Sequence, residues 1–350
     1  MDTTTKDDYN FLLSSSYRQP HTILHRAVFR ALASGNNALN QPYLNCNMSN
    51  RAAILTEAKA RPLKIDDFPM PVAGPHQMIV KNHAIAFNPA DSAIQNLGIL
   101  IQQFPAVLGE DLAGEVVSVG PEVTKFKVGD RVVAMANDLK FLTTGESFLG
   151  SFQLYVRAND DYAAKLPDNV SYTEACVLPV ALNTAAASVF MEENLALPYP
   201  QLNPKPTGTV VTIWGASSSV GSCAIQLALA GGCEVATTSS SHNLEYCKDL
   251  GAAYTFDYKS PTIVDDIMNS LKRKESAGVF CCVQDPDSLK KCAELASKLG
   301  GKKFVATVIP NFPGMSMPEG LSDDVTMGWC KYSHNVSLHP QKQQLTLRCR

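Results

Sequence analysis

The chain has 350 residues, of which 45% are apolar, enough to fill the cores of two domains, and its formal net charge is -3. So small a charge gives no footing for nucleic acid or an anionic membrane surface as a partner, and no run of about 18 apolar residues marks a membrane span. The ten cysteines are scattered, with none between Cys46 and Cys176, a usage expected of reduced thiols in an intracellular, cytoplasmic protein and not of a disulfide framework.

Residues 1–47 do not read as the start of a globular domain. No acidic residue occurs from Tyr9 to Thr56, while Arg18, Arg26 and Arg30 sit among serines, a weak likeness to a mitochondrial transit peptide that Asp2, Asp7 and Asp8 count against. The expectation is a disordered or non-native extension, with Met48 as the natural start. From Arg51 onward short β-branched and apolar runs at Ala52–Leu55, Leu63–Ile65, Met78–Ala86, Ala113–Val119 and Arg131–Ala134 alternate with Gly and Pro turns, which predicts a barrel-like or sandwich domain. Gly150 to Val156 and the turn at Leu166-Pro167-Asp168 finish that domain, and Tyr172 to Phe190 reads as a pair of helices leading out of it.

Residues 208–251 then change the pattern. Val210 to Trp214 is a β-branched apolar run between Gly208 and Gly215, as expected of a strand buried on both faces. Small residues follow, then Ala224, Ile225, Leu227, Ala228 and Leu229 at helical spacing, then a second strand at Cys233 to Thr238. Strand, small-residue turn, helix and strand within about 30 residues form half of a mononucleotide-binding unit, whose turn lets backbone N–H groups reach a pyrophosphate. In the G-x-G-x-x-G frame, Ala216, Ser218 and Gly221 stand at the three glycine positions. Ala216, Ser217, Ser218, Ser219, Val220 and Gly221 are therefore the candidate pyrophosphate residues.

About 20 residues further on, an NAD site normally holds an acid that accepts the ribose hydroxyls. Here Ser239, Ser240, Ser241, His242 and Asn243 occupy that place, and the next acid is Glu245. Hydroxyls, an amide and an imidazole donate to a 2′-phosphate that a carboxylate would repel, so the expected cofactor is NADP. Beyond this unit, strands at Tyr254–Tyr258, Gly278–Val283 and Lys303–Ile309 alternate with helices at Ile263–Leu271 and Ser288–Leu299, which predicts a doubly wound parallel sheet. Residues 311–350 show no sustained periodicity.

The segments Gly-Glu-Asp-Leu-Ala-Gly-Glu-Val-Val-Ser-Val-Gly (109–120), Val-Gly-Asp-Arg-Val (128–132) and Gly-Ala-Ser-Ser-Ser-Val-Gly (215–221), in that order, resemble the medium-chain dehydrogenase/reductase superfamily. Ala-Phe-Asn-Pro-Ala-Asp (86–91), Pro-Lys-Pro-Thr-Gly (204–208) and Ser-His-Asn (241–243) resemble its fungal zinc-free branch of enoyl and quinone reductases, which includes the trans-acting enoyl reductases. The resemblance covers about residues 48–310. It implies an α/β fold with a GroES-like substrate domain over 48–180, a Rossmann-type NADP domain over 181–310, and an irregular, truncated or divergent C-terminus over 311–350. It implies that Asn88 and Pro89 lie beside the nicotinamide, that Thr184 contacts the cofactor and that Tyr258 lies on the adenine side, with Asn88 and Thr184 as the catalytic candidates.

In the zinc alcohol dehydrogenases of the superfamily a Cys, a His and a second Cys hold the catalytic ion. The matching positions here are Asn88, Glu110 and Val180, so no metal is expected. Without a Lewis acid the implied chemistry is reduction by NADPH of an activated C=C bond in an enone or enoyl thioester, or of a quinone. Some trans-acting enoyl reductases carry a Lys just after the Asn-Pro-x-Asp segment, whereas this chain reads Ser92-Ala93-Ile94-Gln95 there, which weakens a polyketide-carrier role. Family members also end in a sixth strand used for dimer pairing; its expected absence here points to a monomer with an exposed fifth strand. The alternative reading is a catalytically weakened nucleotide-binding protein that acts by interaction.

Overall fold

The computed structural model describes residues 49–136, 149–308 and 324–329. The N-terminal extension expected over 1–47 and the polar end at Gln341–Arg350 lie outside the described residues. The chain divides after Val180 into two compact units.

The first unit is built from β1 (Asn50–Leu55), β2 (Lys64–Phe68), β3 (Gln77–Ala86), α1 (Pro89–Leu97), β4 (Ala106–Val107), β5 (Asp111–Val119), β6 (Arg131–Met135), β7 (Tyr155–Asn159), β8 (Ala163–Lys165) and α2 (Tyr172–Ala175). Its strands form a three-stranded sheet in the order β2-β1-β4 and a five-stranded sheet in the order β7-β3-β5-β6-β8, antiparallel throughout. Both sheets feed one apolar cluster, in which Leu55 of β1, Val80 and Ile85 of β3, Leu112 and Val116 of β5, Val132 of β6 and Val156 of β7 are buried. Alternation along β3 shows the period-2 logic, with Val80 and Asn82 inside and Lys81 and His83 outside. Asn82 is the polar exception, and its Nδ2 donates to the carbonyls of Ser151 (2.9 Å) and Gln153 (2.8 Å), fixing the segment that leads into β7.

The segment after β3 forms a helix that periodicity in the sequence does not announce. Asn88 is the N-cap of α1, Pro89 supplies a φ suited to the first turn, and Asp91 at the third position accepts the Asn88 backbone N–H (2.8 Å). The closing stretch of the domain, expected from Gly150 to Val156, leads into β7, whose backbone pairs with Gln77–Lys81.

The second unit starts within α3 (Pro179–Phe190) and continues through β9 (Thr209–Trp214), α4 (Ser219–Ala230), β10 (Glu234–Ser239), α5 (Leu244–Asp249), β11 (Tyr254–Asp257), α6 (Ile263–Leu271), β12 (Glu275–Cys281), α7 (Pro286–Lys298), β13 (Phe304–Thr307) and β14 (Thr326–Trp329). The strands form one parallel sheet in the order β11-β10-β9-β12-β13-β14. Numbered from β9, that order is 3-2-1-4-5-6, and its direction reverses between β9 and β12, which places the ligand crevice of such a sheet at their carboxyl ends. As the central strand, β9 has Val210 through Trp214 all buried. Fully burying side chains of this size stabilises a fold by roughly 1.5–3 kcal/mol each.

β14 corrects one expectation. Residues 311–350 are not irregular throughout, because Thr326–Trp329 pairs in parallel with Phe304–Thr307 as a sixth strand, and Lys303 forms an ion pair with Asp324 just before it. The fifth strand is thus paired on both sides, and the ground for expecting a monomer is removed. Thr-Met-Gly-Trp is too short and mixed to show strand periodicity; the ladder on β13 supplies what local sequence does not.

Tyr172–Phe190 is long and apolar enough by composition to cross a membrane, with 61% of its window buried. It is in fact two helices, and Ala185, Ala186, Ala187, Val189 and Phe190 of α3 are buried core residues. The seven described cysteines are buried, and none of them is in a disulfide with another described residue. Burial pushes the Cys176 thiol up to about 12 and those of Cys282 and Cys292 well above the ordinary thiol range.

Candidate functional site

The phosphate corner of the second unit grows from the carboxyl end of β9. Gly215 turns the chain with φ 79°, and its N–H donates to Thr238 Oγ1 (3.1 Å), while the Ala216 N–H donates to the Thr238 carbonyl (2.9 Å). These two bonds tie the turn to β10. Ser218 caps α4, its Oγ accepting the Gly221 N–H at 3.1 Å. A Cβ on Gly221 would stand 2.6 Å from Ala216 Cα, so only glycine lets the helix start this close to the strand. Ser217, Ser219 and Val220 are partly or fully exposed at the head of the helix, where first-turn N–H groups and the helix dipole favour an anion.

The segment after β10 closes on this turn. Asn243 Nδ2 donates to Ser240 Oγ (3.1 Å) and to Ser217 Oγ (3.3 Å), and Ser240 Oγ lies 3.2 Å from His242 Nε2. Ser217, Ser240, His242 and Asn243 are thus one polar group drawn from two segments. Ser241 and His242 are exposed, whereas Ser239 is buried and its hydroxyl donates to the Ser240 carbonyl (3.2 Å). Glu245, the nearest acid in sequence, lies on α5 and pairs with Lys248 (3.2 Å). Tyr258 follows β11, 41% exposed, with its N–H donating to the Ser239 carbonyl (3.1 Å). Thr184 is buried on α3.

In the first unit Asn88 has a setting that sequence reasoning missed. Its half-buried side chain donates from Nδ2 to Asp111 Oδ2 (3.0 Å), and the other oxygen of Asp111 accepts the Val180 N–H (2.8 Å). One carboxylate therefore joins two of the three positions that the resemblance pairs with zinc ligands. The third, Glu110, is 5% exposed and its Oε2 finds no hydrogen-bond partner. Asp91, 4% exposed, accepts N–H groups from Asn88 (2.8 Å) and Gly109 (3.1 Å). Pro89 is exposed beside them.

Three carboxyls buried this close oppose one another. Burial pushes Asp111 up to about 7 against the opposing pull of the Asn88 and Val180 hydrogen bonds. Burial likewise raises Asp91 and Glu110, and at Glu110 the charges of Asp91 and Asp111 add to the effect. Asp91 and Asp111 keep donors on both oxygens, whereas Glu110 Oε2 has none, so Glu110 is the member of the trio whose ionised form has the least hydrogen-bond support. The available signal in the sequence was two adjacent acids at 110–111 inside an otherwise apolar stretch from Ala106 to Ala113.

Sheet order, glycine-governed turn and donor-rich corner give the second unit the form of a dinucleotide-binding domain. Residues 74–168 match the alcohol dehydrogenase GroES-like domain, and residues 219–318 match the zinc-binding dehydrogenase family. Dehydrogenase orf1 of Aspergillus niger is 39% identical over 283 residues, covering 79% of this chain and 80% of its own. The trans-enoyl reductase himH of Aspergillus japonicus is 38% identical over 255 residues, covering 73% and 72%. Among solved structures, an alcohol dehydrogenase superfamily protein from Novosphingobium aromaticivorans superposes with a TM-score of 0.65 at 27% identity, covering 83% of this chain and 82% of its own. The chain belongs to the medium-chain dehydrogenase/reductase superfamily, and it is an oxidoreductase of that family built to use a nicotinamide cofactor.

The family's name implies zinc, and the residues do not fit it. An amide, one carboxyl and an aliphatic side chain stand at the matching positions, and among the described residues no group of three His, Cys, Asp or Glu is placed to hold a metal ion.

Proposed function

We propose that the protein is a cytoplasmic, NADPH-dependent, metal-independent reductase of an activated C=C bond in an enone or enoyl thioester, or of a quinone. The observation that carries this reading is the corner at Ser217, Ser240, His242 and Asn243, where donors from two segments gather with no carboxylate among them. Ser240, Ser241, His242 and Asn243 would receive the 2′-phosphate, with Ser239 behind them, and Ala216 to Gly221 the pyrophosphate. Tyr258 would lie along the adenine, and Asn88, Pro89 and Thr184 would hold the nicotinamide. Bound NADPH supplies a hydride for the β-carbon of the acceptor. The chain's own residues contribute position, since reduction of a polarised alkene needs only alignment, hydrogen-bond donors and a proton. The relative named as a trans-enoyl reductase supports this acceptor class.

Calorimetric titration with NADPH and NADH, followed by nicotinamide absorbance with enone, enoyl thioester and quinone acceptors, tests the reading. NADPH is expected to bind at least about tenfold more tightly, equivalent to about 1.4 kcal/mol, and a chelator is expected to leave turnover unchanged. NADH preferred over NADPH, or turnover lost with removal of stoichiometric zinc, would overturn it. Binding without turnover on any acceptor would favour the interaction protein.

A further inference from the structure

The donor corner at Ser217, Ser240, His242 and Asn243 has a neighbour on the next strand of its own sheet. β11 runs parallel to β10, and their last rung pairs Ser239 with Asp257. The Tyr258 N–H then donates to the Ser239 carbonyl (3.1 Å), so the two chains stay joined until they leave the sheet. Ser240 and Ser241 therefore emerge at the carboxyl edge beside Tyr258 and Lys259, on strands spaced about 4.8 Å apart, a gap that the four-carbon stem of a lysine spans. The turn that carries Lys259 is fixed, because its N–H donates to Asp257 Oδ1 (3.0 Å) and the Ser260 N–H donates to the Asp257 carbonyl (3.0 Å). Its ammonium stands over the Tyr258 ring, 5.8 Å from the centroid, and both side chains are exposed. Among the described residues no Asp or Glu lies within ion-pairing distance of Lys259, whereas Lys248 and Lys274 are paired with Glu245 (3.2 Å) and Glu234 (2.6 Å). Lys272 and Arg273 do not share its place, since they follow α6 and lead into the amino end of β12, at the opposite edge of the sheet.

We propose that Lys259 is a specificity-determining residue of the 2′-phosphate site, which selects the phosphorylated ribose through its positive charge. The inference rests on the NADPH reading above and deepens it. Hydroxyls and an amide in the corner orient phosphate oxygens, and the imidazole carries charge only when protonated. An ammonium on the adjacent strand adds the compact point charge that a phosphate dianion attracts. Because the group is exposed, its contribution is Coulombic and screened by salt, a signature that a lysine serving only the fold would not leave on ligand binding.

The test is calorimetry on the full chain with 2′-phospho-ADP-ribose and ADP-ribose, which differ only in the 2′-phosphate and both lack the nicotinamide ring. In Lys259→Gln at low ionic strength, affinity for 2′-phospho-ADP-ribose is expected to fall about three- to fivefold, the worth of one exposed charge pair, while ADP-ribose stays within about twofold. Raising the salt to about 0.3 M should bring wild type and Lys259→Gln together, because the Debye length contracts. Lys259→Arg keeps the charge and should bind within about twofold of wild type. Lys259→Glu reverses the charge and should weaken 2′-phospho-ADP-ribose about tenfold at low salt.

Thermal midpoints identify any variant that fails to fold, and the Gln and Arg substitutions carry the test if the Glu one does not. Equal losses for both ligands, no loss for either, a loss that salt does not erode, or an Arg variant as weak as the Gln one would overturn the proposal. A wild-type protein that binds ADP-ribose as tightly as its 2′-phosphorylated form would instead sink the NADPH reading itself, so the two failures are distinguishable.

Discussion

The two units handle charge in opposite ways. In the second, hydroxyl, amide and imidazole groups at Ser217, Ser240, His242 and Asn243 lie at least partly open to solvent and bond to one another across two segments, a corner that needs no charge of its own to wait for an anion. In the first, Asp91, Glu110 and Asp111 are buried together with no cation among their partners, and burial raises all three. A polar site assembled largely from hydroxyl and amide donors is inexpensive to maintain empty. One assembled from buried acids is held at the expense of stability, which marks it as a place where the fold gives up energy for arrangement.

Four substitutions would break or sharpen this contrast. Gly221→Val forces a Cβ to 2.6 Å from Ala216 Cα and should destabilise the second unit by about 3 kcal/mol in chemical denaturation, abolishing NADPH binding. Ser240→Asp installs a carboxylate in a corner that has none. It should weaken NADPH at least about tenfold and leave NADH equal or better, read by calorimetry.

Glu110→Gln addresses the acidic side and has a pH signature. A carboxyl whose folded pKa is raised holds its proton in the native state where the unfolded chain has lost it. Its burial is therefore tolerated at low pH, and stability falls as pH rises from the ordinary carboxylate value of 4.5 through the raised folded one. The thermal midpoint of the wild type should drop between about pH 5 and pH 8. Glu110→Gln should flatten that drop and raise the midpoint at pH 8 by a few degrees, about 1 kcal/mol. A midpoint unchanged at pH 8 would show the trio to be better solvated than its burial implies. His242→Ala, at an exposed position, carries the smallest effect, about threefold weaker NADPH with NADH unaffected.

What could be read in the sequence follows how local each feature is. Strand β9 and the small-residue turn were legible because β-branched runs and glycines act over a few neighbours. Ile263–Leu271 was legible because an amphipathic stripe is written in its own residues. Helix α1 escapes a periodicity reading because it is short and mixed, although Asn88 as cap, Pro89 at the first position and Asp91 at the third are a helix start. Of the corner, its donors were legible, but the bond from Asn243 to Ser217 spans 26 residues. The Asp111 bonds to Asn88 and Val180 span 23 and 69 residues, and the apolar stretch around Asp111 hints at burial without naming either partner. Strand β14 depends wholly on its neighbour in the sheet.

The buried cysteines offer an unplanned instrument. A thiol reacts as its thiolate, and the fold suppresses that form most at Cys176 in the first unit and at Cys282 and Cys292 in the second. Alkylation at these residues should therefore proceed at the pace at which each unit breathes open. Mass spectrometry of partly alkylated protein would then time the two halves separately, and would reveal which of them a bound dinucleotide quiets.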